Sequence, residues 1–310
     1  MTKPFRFAVQ TSTAESGKAW REKARKIEGL GYSTMFIPDH FDDQWAPIVG
    51  MTVAAEATDR LNVGALVFDN DYRHPIVLAK EIATLDLASE GRVEFGLGAG
   101  WLKSDYDASG IAYDSPGTRI DRMVEGLAVM KQLWRDGSAT LDGKHYSIAG
   151  ANGYPRPASS GGPKIVIGGG GKRVLSIAAR EADIIGVNPN LSAGYVGPEV
   201  AQSAKGERYR ERLQWIKDAA GDRFDDIELQ CLTFMVQFTD DSAAAYEQLA
   251  PLFGLTPDEA RDVPIALAGT FDEIAETLQR RREQYGFSYV VVHEPEMEQF
   301  AEVVAKLAGT

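Results

Sequence analysis

Short runs rich in β-branched and apolar residues alternate with helix-spaced segments along the whole chain. The strand-like runs are residues 5–10, 33–38, 61–68, 92–97, 163–167, 183–187, 227–238 and 288–292. Between and after them, residues 16–30, 47–58, 75–89, 118–134, 174–179, 197–220, 243–253, 271–285 and 296–307 read as helices. In residues 16–30, Trp20, Ala24 and Ile27 share a face; in residues 75–89, Ile76, Ala79, Ile82, Ala83 and Leu87 are expected to face inward. Such alternation implies parallel strands, because the chain must cross back over the sheet between them. Eight such steps predict an α/β fold of the (β/α)8 TIM-barrel type with insertion loops, as a single domain over residues 1–310. A doubly wound open sheet is the competing topology. The expected insertions are a polar loop at 102–117, a hairpin at 139–141 and 145–148, and a Gly-, Ser- and Pro-rich loop at 150–162.

The net charge of -12 and a pI near 4.9 argue against nucleic acid as a partner, since phosphate backbones need a basic surface. One basic pocket for an anionic small molecule remains compatible with that balance. No apolar run reaches membrane-spanning length, and residue 5 already opens a strand, so neither a membrane partner nor a signal peptide is expected. Cys231 is the one cysteine and lies in a strand-like run, which makes it a core thiol and fits a cytoplasmic location.

Barrels of this type carry their chemistry on loops leaving the C-terminal ends of the strands, and the unusual residues fall there. After the fifth run stand Gly168, Gly169, Gly170 and Gly171, then Lys172 and Arg173 at a helix start. Glycines let backbone N–H groups approach a ligand, and a helix start adds unpaired donors, so this loop suits a phosphate. A plain tight turn is the competing reading. Asp39 and His40 follow the second run, an imidazole beside a carboxylate that can move a proton near neutral pH. Gly96 at the end of the fourth run, and Gly98, Gly100 and Trp101 in the loop that leaves it, offer close backbone approach and a ring wall to a flat ligand. Asn188 follows the sixth run. His74 reads as structural, His145 as surface, and His293 as a minor candidate on the same face. No metal-ligand spacing is present, which favours a phosphate-bearing organic cofactor that carries the hard chemistry.

Residues 83–101, ATLDLASEGRVEFGLGAGW, resemble the signature of the bacterial luciferase-like flavin and deazaflavin oxidoreductases. So do Gly31-Tyr32 leading to Pro38-Asp39-His40-Phe41, the Arg73-His74-Pro75 step, and Ala268-Gly269-Thr270-Phe271. The likeness covers nearly the whole chain and is strongest to the branch that uses coenzyme F420. It implies a luciferase-like TIM barrel, usually homodimeric, with the deazaflavin in the barrel mouth and its phosphate against Gly169 to Gly171. It implies Asp39 near the ring system, His40 beside the reacting carbon, and a non-proline cis peptide near Ala65-Leu66. Members that oxidise sugar phosphates carry a glutamate where Trp101 stands, so that substrate class is not expected.

The resulting expectation is an F420-dependent oxidoreductase that moves hydride between reduced deazaflavin and a C=C or C=O of a small organic substrate. His40 is the candidate catalytic group; Asp39, Ala65, Leu66, Gly98, Gly100, Trp101, Gly168 to Gly171 and Asn188 are the candidate cofactor contacts. An FMN-dependent luciferase-like monooxygenase, a non-catalytic flavin- or phosphate-binding barrel, and a cofactor-free isomerase using His40 and His293 are the alternatives.

Overall fold

The computed structural model describes residues 3–195 and 198–310. In chain order it begins β1 (Arg6–Gln10), α1 (Gly17–Gly29), β2 (Thr34–Ile37), α2 (Pro47–Ala57), β3 (Asn62–Ala65), β4 (Phe68–Asp69), α3 (Pro75–Ala88) and β5 (Val93–Gly98). Then come α4 (Lys103–Ser109), α5 (Pro116–Asp136), β6 (Ser138–Asp142), β7 (Ser147–Asn152), β8 (Lys164–Gly169), α6 (Lys172–Glu181) and β9 (Ile184–Val187). The chain continues with α7 (Pro198–Ser203), α8 (Gly206–Ala220), β10 (Glu228–Leu232), β11 (Met235–Phe238), α9 (Ser242–Phe253) and α10 (Pro257–Arg261). It closes with β12 (Ala266–Gly269), α11 (Phe271–Tyr285), β13 (Phe287–His293) and α12 (Met297–Leu307). The main sheet runs β3-β2-β1-β13-β10-β9-β8-β5-β4, and β3 also pairs with β5. Counting β3 and β4 as one interrupted strand, this is the closed eight-stranded parallel sheet of a (β/α)8 barrel, as the alternation predicts.

The chain forms two compact units. One comprises residues 12–25 and 35–166. Its core stacks Trp20 on Trp45 at 4.7 Å, with Trp20 Nε1 donating to the Gly50 carbonyl at 2.8 Å. Trp134 packs edge-on against Phe95 at 5.1 Å and donates to the Ala79 carbonyl at 2.9 Å. Helix α5 starts with Ser115 capping Thr118 N–H and Pro116 in the first turn, and ends on Gly137 at φ 80°. Midway along it, the Glu125 carboxylate accepts the backbone N–H groups of Lys144, His145 and Tyr146, which ties the β6–β7 hairpin to the helix.

The other unit comprises residues 1–11, 26–34 and 167–310. Here β1 pairs with β13 from Arg6↔Tyr289 to Gln10↔His293, and β10 pairs with both β13 and β9. Arg6 grips Glu228 at 2.7 and 2.6 Å with its guanidinium 3.5 Å over the Tyr289 ring. Arg281 is fully buried, and its donors satisfy the carbonyls of Pro264, Val263 and Ala266, so burial costs it no partner. Cys231 is buried, as expected, and burial pushes its thiol up to about 12.

Several expectations need correction. The third run is broken into β3 and β4, and the seventh into β10 and β11, the latter pairing only with β12 in a separate parallel ribbon. Helix α10 and strand β12 were hidden because short elements of mixed composition carry little periodicity. The polar loop 102–117 contains helix α4. The long helix expected at 197–220 is two, α7 and α8, and its expected start at Gly197 lies outside the described residues. On α3, Ala79, Ile82 and Ala83 are buried, but Ile76 is only half-buried and Leu87 is 50% exposed. Leu78, Leu85 and Asp86 take the inner face instead.

Candidate active site

The unit formed by residues 12–25 and 35–166 holds a charged cluster. Its frame is a bulge. Val63 and Gly64 lie opposite Val93 and Glu94, whereas Phe68 and Asp69 lie opposite Leu97 and Gly98. One extra residue therefore sits on the β3–β4 side, the geometry of a β-bulge that re-aims the strand end. The Leu66–Val67 peptide within it is cis. The resemblance implied such a bond near Ala65-Leu66, and it falls one peptide further along. The bulge also explains the neighbouring glycines. A Cβ on Gly96 would strike the Ala65 carbonyl oxygen, and one on Gly98 would come within 2.7 Å of the Val67 side chain. Gly100, at φ +76°, faces the Tyr106 hydroxyl and the Asp69 carboxylate. The close approach read from these three glycines is thus to the protein's own bulge and side chains.

Asp39 leaves the end of β2 and is 5% exposed. Its Oδ2 accepts from Arg73 Nη1 at 2.6 Å and its Oδ1 from Arg73 Nη2 at 3.0 Å, a two-pronged pair that keeps the buried charge compensated. The same Oδ2 accepts the Asp69 backbone N–H at 3.1 Å. Asp71 is gripped in the same way by Arg122, at 2.7 and 2.9 Å. Arg119, on the same helix, points its donors at the carbonyls of Ala99 and Gly100, 3.2 and 3.3 Å away, and so fixes the loop that carries Trp101.

His40 sits beside this cluster. Its Nδ1 lies 2.6 Å from Asp105 Oδ2 on α4, and the Tyr72 hydroxyl donates to the same oxygen at 3.1 Å. Facing a carboxylate, Nδ1 carries the hydrogen, which leaves Nε2 for chemistry. The His40 side chain is 24% exposed while that of Asp105 is 8% exposed, so the carboxylate is buried and the imidazole is partly open. Trp101 meets the imidazole edge-on, ring centres 5.9 Å apart.

The unit containing residues 167–310 holds the glycine loop. Gly171 is the N-cap of α6 and supplies no side-chain cap, so the first N–H groups of the helix lack a side-chain acceptor there. A Cβ on Gly171 would meet nothing within 4 Å, which leaves room in front of the loop. Gly170 differs: a Cβ there would strike the backbone of Asn188 and Pro189. Its carbonyl accepts from Arg212 Nε at 3.0 Å, and the Gly169 carbonyl accepts the Asn188 N–H at 2.9 Å. The Asn188 side chain lies beside Gly168, 3.1 Å from where a Cβ would stand. Arg212, 3% exposed, braces the loop from behind; burial holds its guanidinium below the usual range. His293 is also lowered by burial, and Phe234 covers it edge-on.

The structure therefore gathers Asp39, His40, Gly98, Gly100 and Trp101 in one unit with Ala65 and Leu66 at the bulge, and Gly168 to Gly171 with Asn188 in the other. His74 is structural as expected, its Nδ1 capping the Ile76 N–H of α3. His145 is half-buried rather than on the surface. Asp69, Asp71, Arg73, Asp105, Tyr106, Arg119, Arg122 and Arg212 were missed as site residues. The density of charge in Asp69-Asn70-Asp71-Tyr72-Arg73 at a strand end marks that stretch, though not which of its acids goes without an arginine; the other missed residues carry no such signal. Among the described residues no group of three or more His, Cys, Asp or Glu could hold a metal ion, and no helix is long and apolar enough to cross a membrane.

Comparison with known proteins agrees with this architecture. An F420-dependent glucose-6-phosphate dehydrogenase of Kribbella flavida is 29% identical over 291 residues, covering 89% of this chain and 80% of that protein. The structure of a coenzyme F420-dependent tetrahydromethanopterin reductase from Methanopyrus kandleri superposes with a TM-score of 0.77 at 19% identity, covering 98% of each chain. A monooxygenase from Streptomyces bottropensis superposes with a TM-score of 0.73 at 19% identity, covering 97% of each chain. The family model described as luciferase-like monooxygenase matches residues 1–289, and the chain belongs to that family.

Proposed function

We propose that this protein is an F420-dependent oxidoreductase acting on a C=C or C=O of a small organic molecule. The observation that carries the reading is His40, held at Nδ1 by buried Asp105 and left with Nε2 to give or take a proton. The Kribbella flavida relative, named for F420 dependence, supports the choice of cofactor. Reduced deazaflavin supplies a hydride when bound. The residues present fit such a group: Gly171 opens an uncapped helix start with Lys172 and Arg173 beside it, suited to a phosphate. His40 Nε2 then delivers the proton that a carbonyl oxygen needs as it becomes an alkoxide, or removes it in the reverse direction. Trp101 walls the imidazole and stands where the resemblance puts a glutamate in sugar-phosphate oxidisers, so glucose 6-phosphate is not the proposed substrate.

Titration of the apo-protein with F420 and with FMN, followed by fluorescence, tests the reading. Micromolar F420 binding with much weaker FMN binding is expected. The reverse preference would replace it with the FMN-dependent monooxygenase reading. Binding of neither would remove the cofactor assignment.

We also propose that residues 1–310 act as one luciferase-like domain, supported by a family match running across both units. A homodimer is proposed from α2 and α3, whose outward faces still carry Val49, Val77 and Leu87, each at least half exposed. Light scattering reads the oligomeric state. The lone, buried, free Cys231 supports a reducing, cytoplasmic setting.

A further inference from the structure

Three carboxylates meet where β4 ends, and two guanidiniums serve them. Arg73 takes both oxygens of Asp39, and Arg122 takes both oxygens of Asp71. Asp69, 6% exposed, pairs with no cation among the described residues. Its Oδ1 accepts the Asp71 N–H at 2.9 Å, and its Oδ2 lies 2.9 Å from the Tyr106 hydroxyl. That hydroxyl lies 3.1 Å from Asp71 Oδ2 as well, so one hydrogen faces two acids. Asp71 and Tyr72 face Asp69 from its own segment, Asp39 from the end of β2, and Tyr106 from α4; Asp105, also on α4, acts on Tyr72. On α5, Arg122 is committed to Asp71 and Asp114, and Arg119, packed on the Tyr106 ring, donates to backbone carbonyls.

With all three acids ionised, Tyr106 could satisfy one neighbour only, and an uncompensated buried charge would remain. With a proton on Asp69, every atom finds a partner. Asp69 donates to Tyr106, Tyr106 donates to Asp71, and Arg122 holds Asp71. Tyr106 belongs to α4, and the residue before it is Asp105, which holds His40.

We propose that Asp69 is a positioning residue that works as a neutral acid: its proton completes the Asp69–Tyr106–Asp71 chain that seats α4 and thereby brings Asp105 to His40. The consequence for catalysis rests on the reading of His40 as the proton-handling group; the state of the carboxyl does not. Burial, then the charges of Asp71 and Asp39, push the Asp69 carboxyl up to about 7 against the hydrogen bonds from Asp71 and Tyr106. Near neutral pH the latch is therefore balanced between two states.

Infrared spectroscopy of the full chain without cofactor tests the proton. A protonated-carboxyl band is expected in the wild type below neutral pH, fading as pH rises through about 7 and missing from Asp69→Asn. No such band in the folded wild type, or the same band in folded Asp69→Asn, overturns the proposal. Hydrogen exchange tests the latch. After correction for intrinsic rates, protection of residues 103–109 should fall with rising pH in the wild type and stay constant in Asp69→Asn, whose amide keeps a donor toward Tyr106. In Tyr106→Phe it should be low throughout. Protection that ignores pH in the wild type overturns the latch. In turnover with F420, Asp69→Ala should lose about tenfold or more in kcat, and Asp69→Asn should recover most of it. Equal loss in both variants counts against the positioning role, whereas a wild type that turns over with neither cofactor sinks the functional reading and leaves the infrared and exchange results to decide this one.

Discussion

The two units handle negative charge by opposite means. Around residues 39–122 the protein compensates its own carboxylates with side chains: Arg73 on Asp39, Arg122 on Asp71, and Tyr106 between Asp69 and Asp71. Around residues 168–212 it leaves backbone groups open: a helix start without a side-chain cap, a glycine with nothing in front of it, and an arginine turned away to hold the loop's carbonyl. The first arrangement is sealed by pairing, and pairs of this kind fix geometry more than they add stability. The second has the form that an anion could complete, and on the proposed function the cofactor phosphate would do so. A side chain of either sign is therefore felt differently in each unit.

Breaking the sealed arrangement should cost most. Arg73→Met leaves Asp39 buried and unpaired, and is expected to destabilise the protein by about 3–5 kcal/mol in denaturant unfolding. Arg73→Met with Asp39→Asn should recover much of that loss. Gly96→Ala sets a methyl against the Ala65 carbonyl and should cost roughly 2–4 kcal/mol, because backbone must move. His40→Ala should lower kcat by about 10²–10⁴-fold while F420 affinity changes far less. The reverse pattern would make His40 a cofactor contact.

The open arrangement is sharpened by a pair of variants. Gly170→Asp, read from sequence alone, sets a carboxylate in the loop expected to hold phosphate. In the structure that position packs on Asn188 and Pro189, so Gly170→Asp should reduce stability as well as affinity. Gly171→Asp faces open space and should weaken F420 binding by about tenfold or more, about 1.4 kcal/mol, with the melting temperature nearly unchanged. Equal affinity for wild type and Gly171→Asp would count against the phosphate assignment.

A last effect is one of pH. Asp69 titrates at about 7 in the folded chain, against an ordinary value of 3.8. Between those values the folded state keeps a proton that the unfolded state has released. Its contribution to stability is full below about pH 4, falls as pH rises, and is gone above about pH 7. Asp69→Asn should flatten that part of the stability profile, which denaturant unfolding across about pH 4–8 reads.

Sequence pattern reaches the barrel because alternation is a local signal repeated many times, and it reaches Asp39 and His40 because they sit directly on a strand end. It misses the break between β3 and β4, since residues 61–68 read as one apolar run and the interruption is a register shift against β5. It misses α4 because Lys103 to Ser109 has mostly polar side chains, and only the tertiary contacts of Asp105 and Tyr106 give that turn an inner face. Asp69 was invisible for another reason. Its partners lie at residues 39, 71 and 106, and nothing in a linear pattern tells which of several acids goes without an arginine.

Helix α5 has a further consequence for how such a protein changes over generations. At 21 residues it is a rod about 30 Å long. Near one end it carries Arg119 and Arg122, along its length Glu125 grips the hairpin, and at its far end Trp134 is wedged against Phe95. A rod transmits tilt over its whole length. The hairpin is largely exposed and reads as free to drift, yet it hangs on Glu125, one turn from Arg122 and two from Arg119 on the same helix. One helix thus holds both the hairpin and the carboxylate cluster, so a substitution in the hairpin is constrained by residues it never touches.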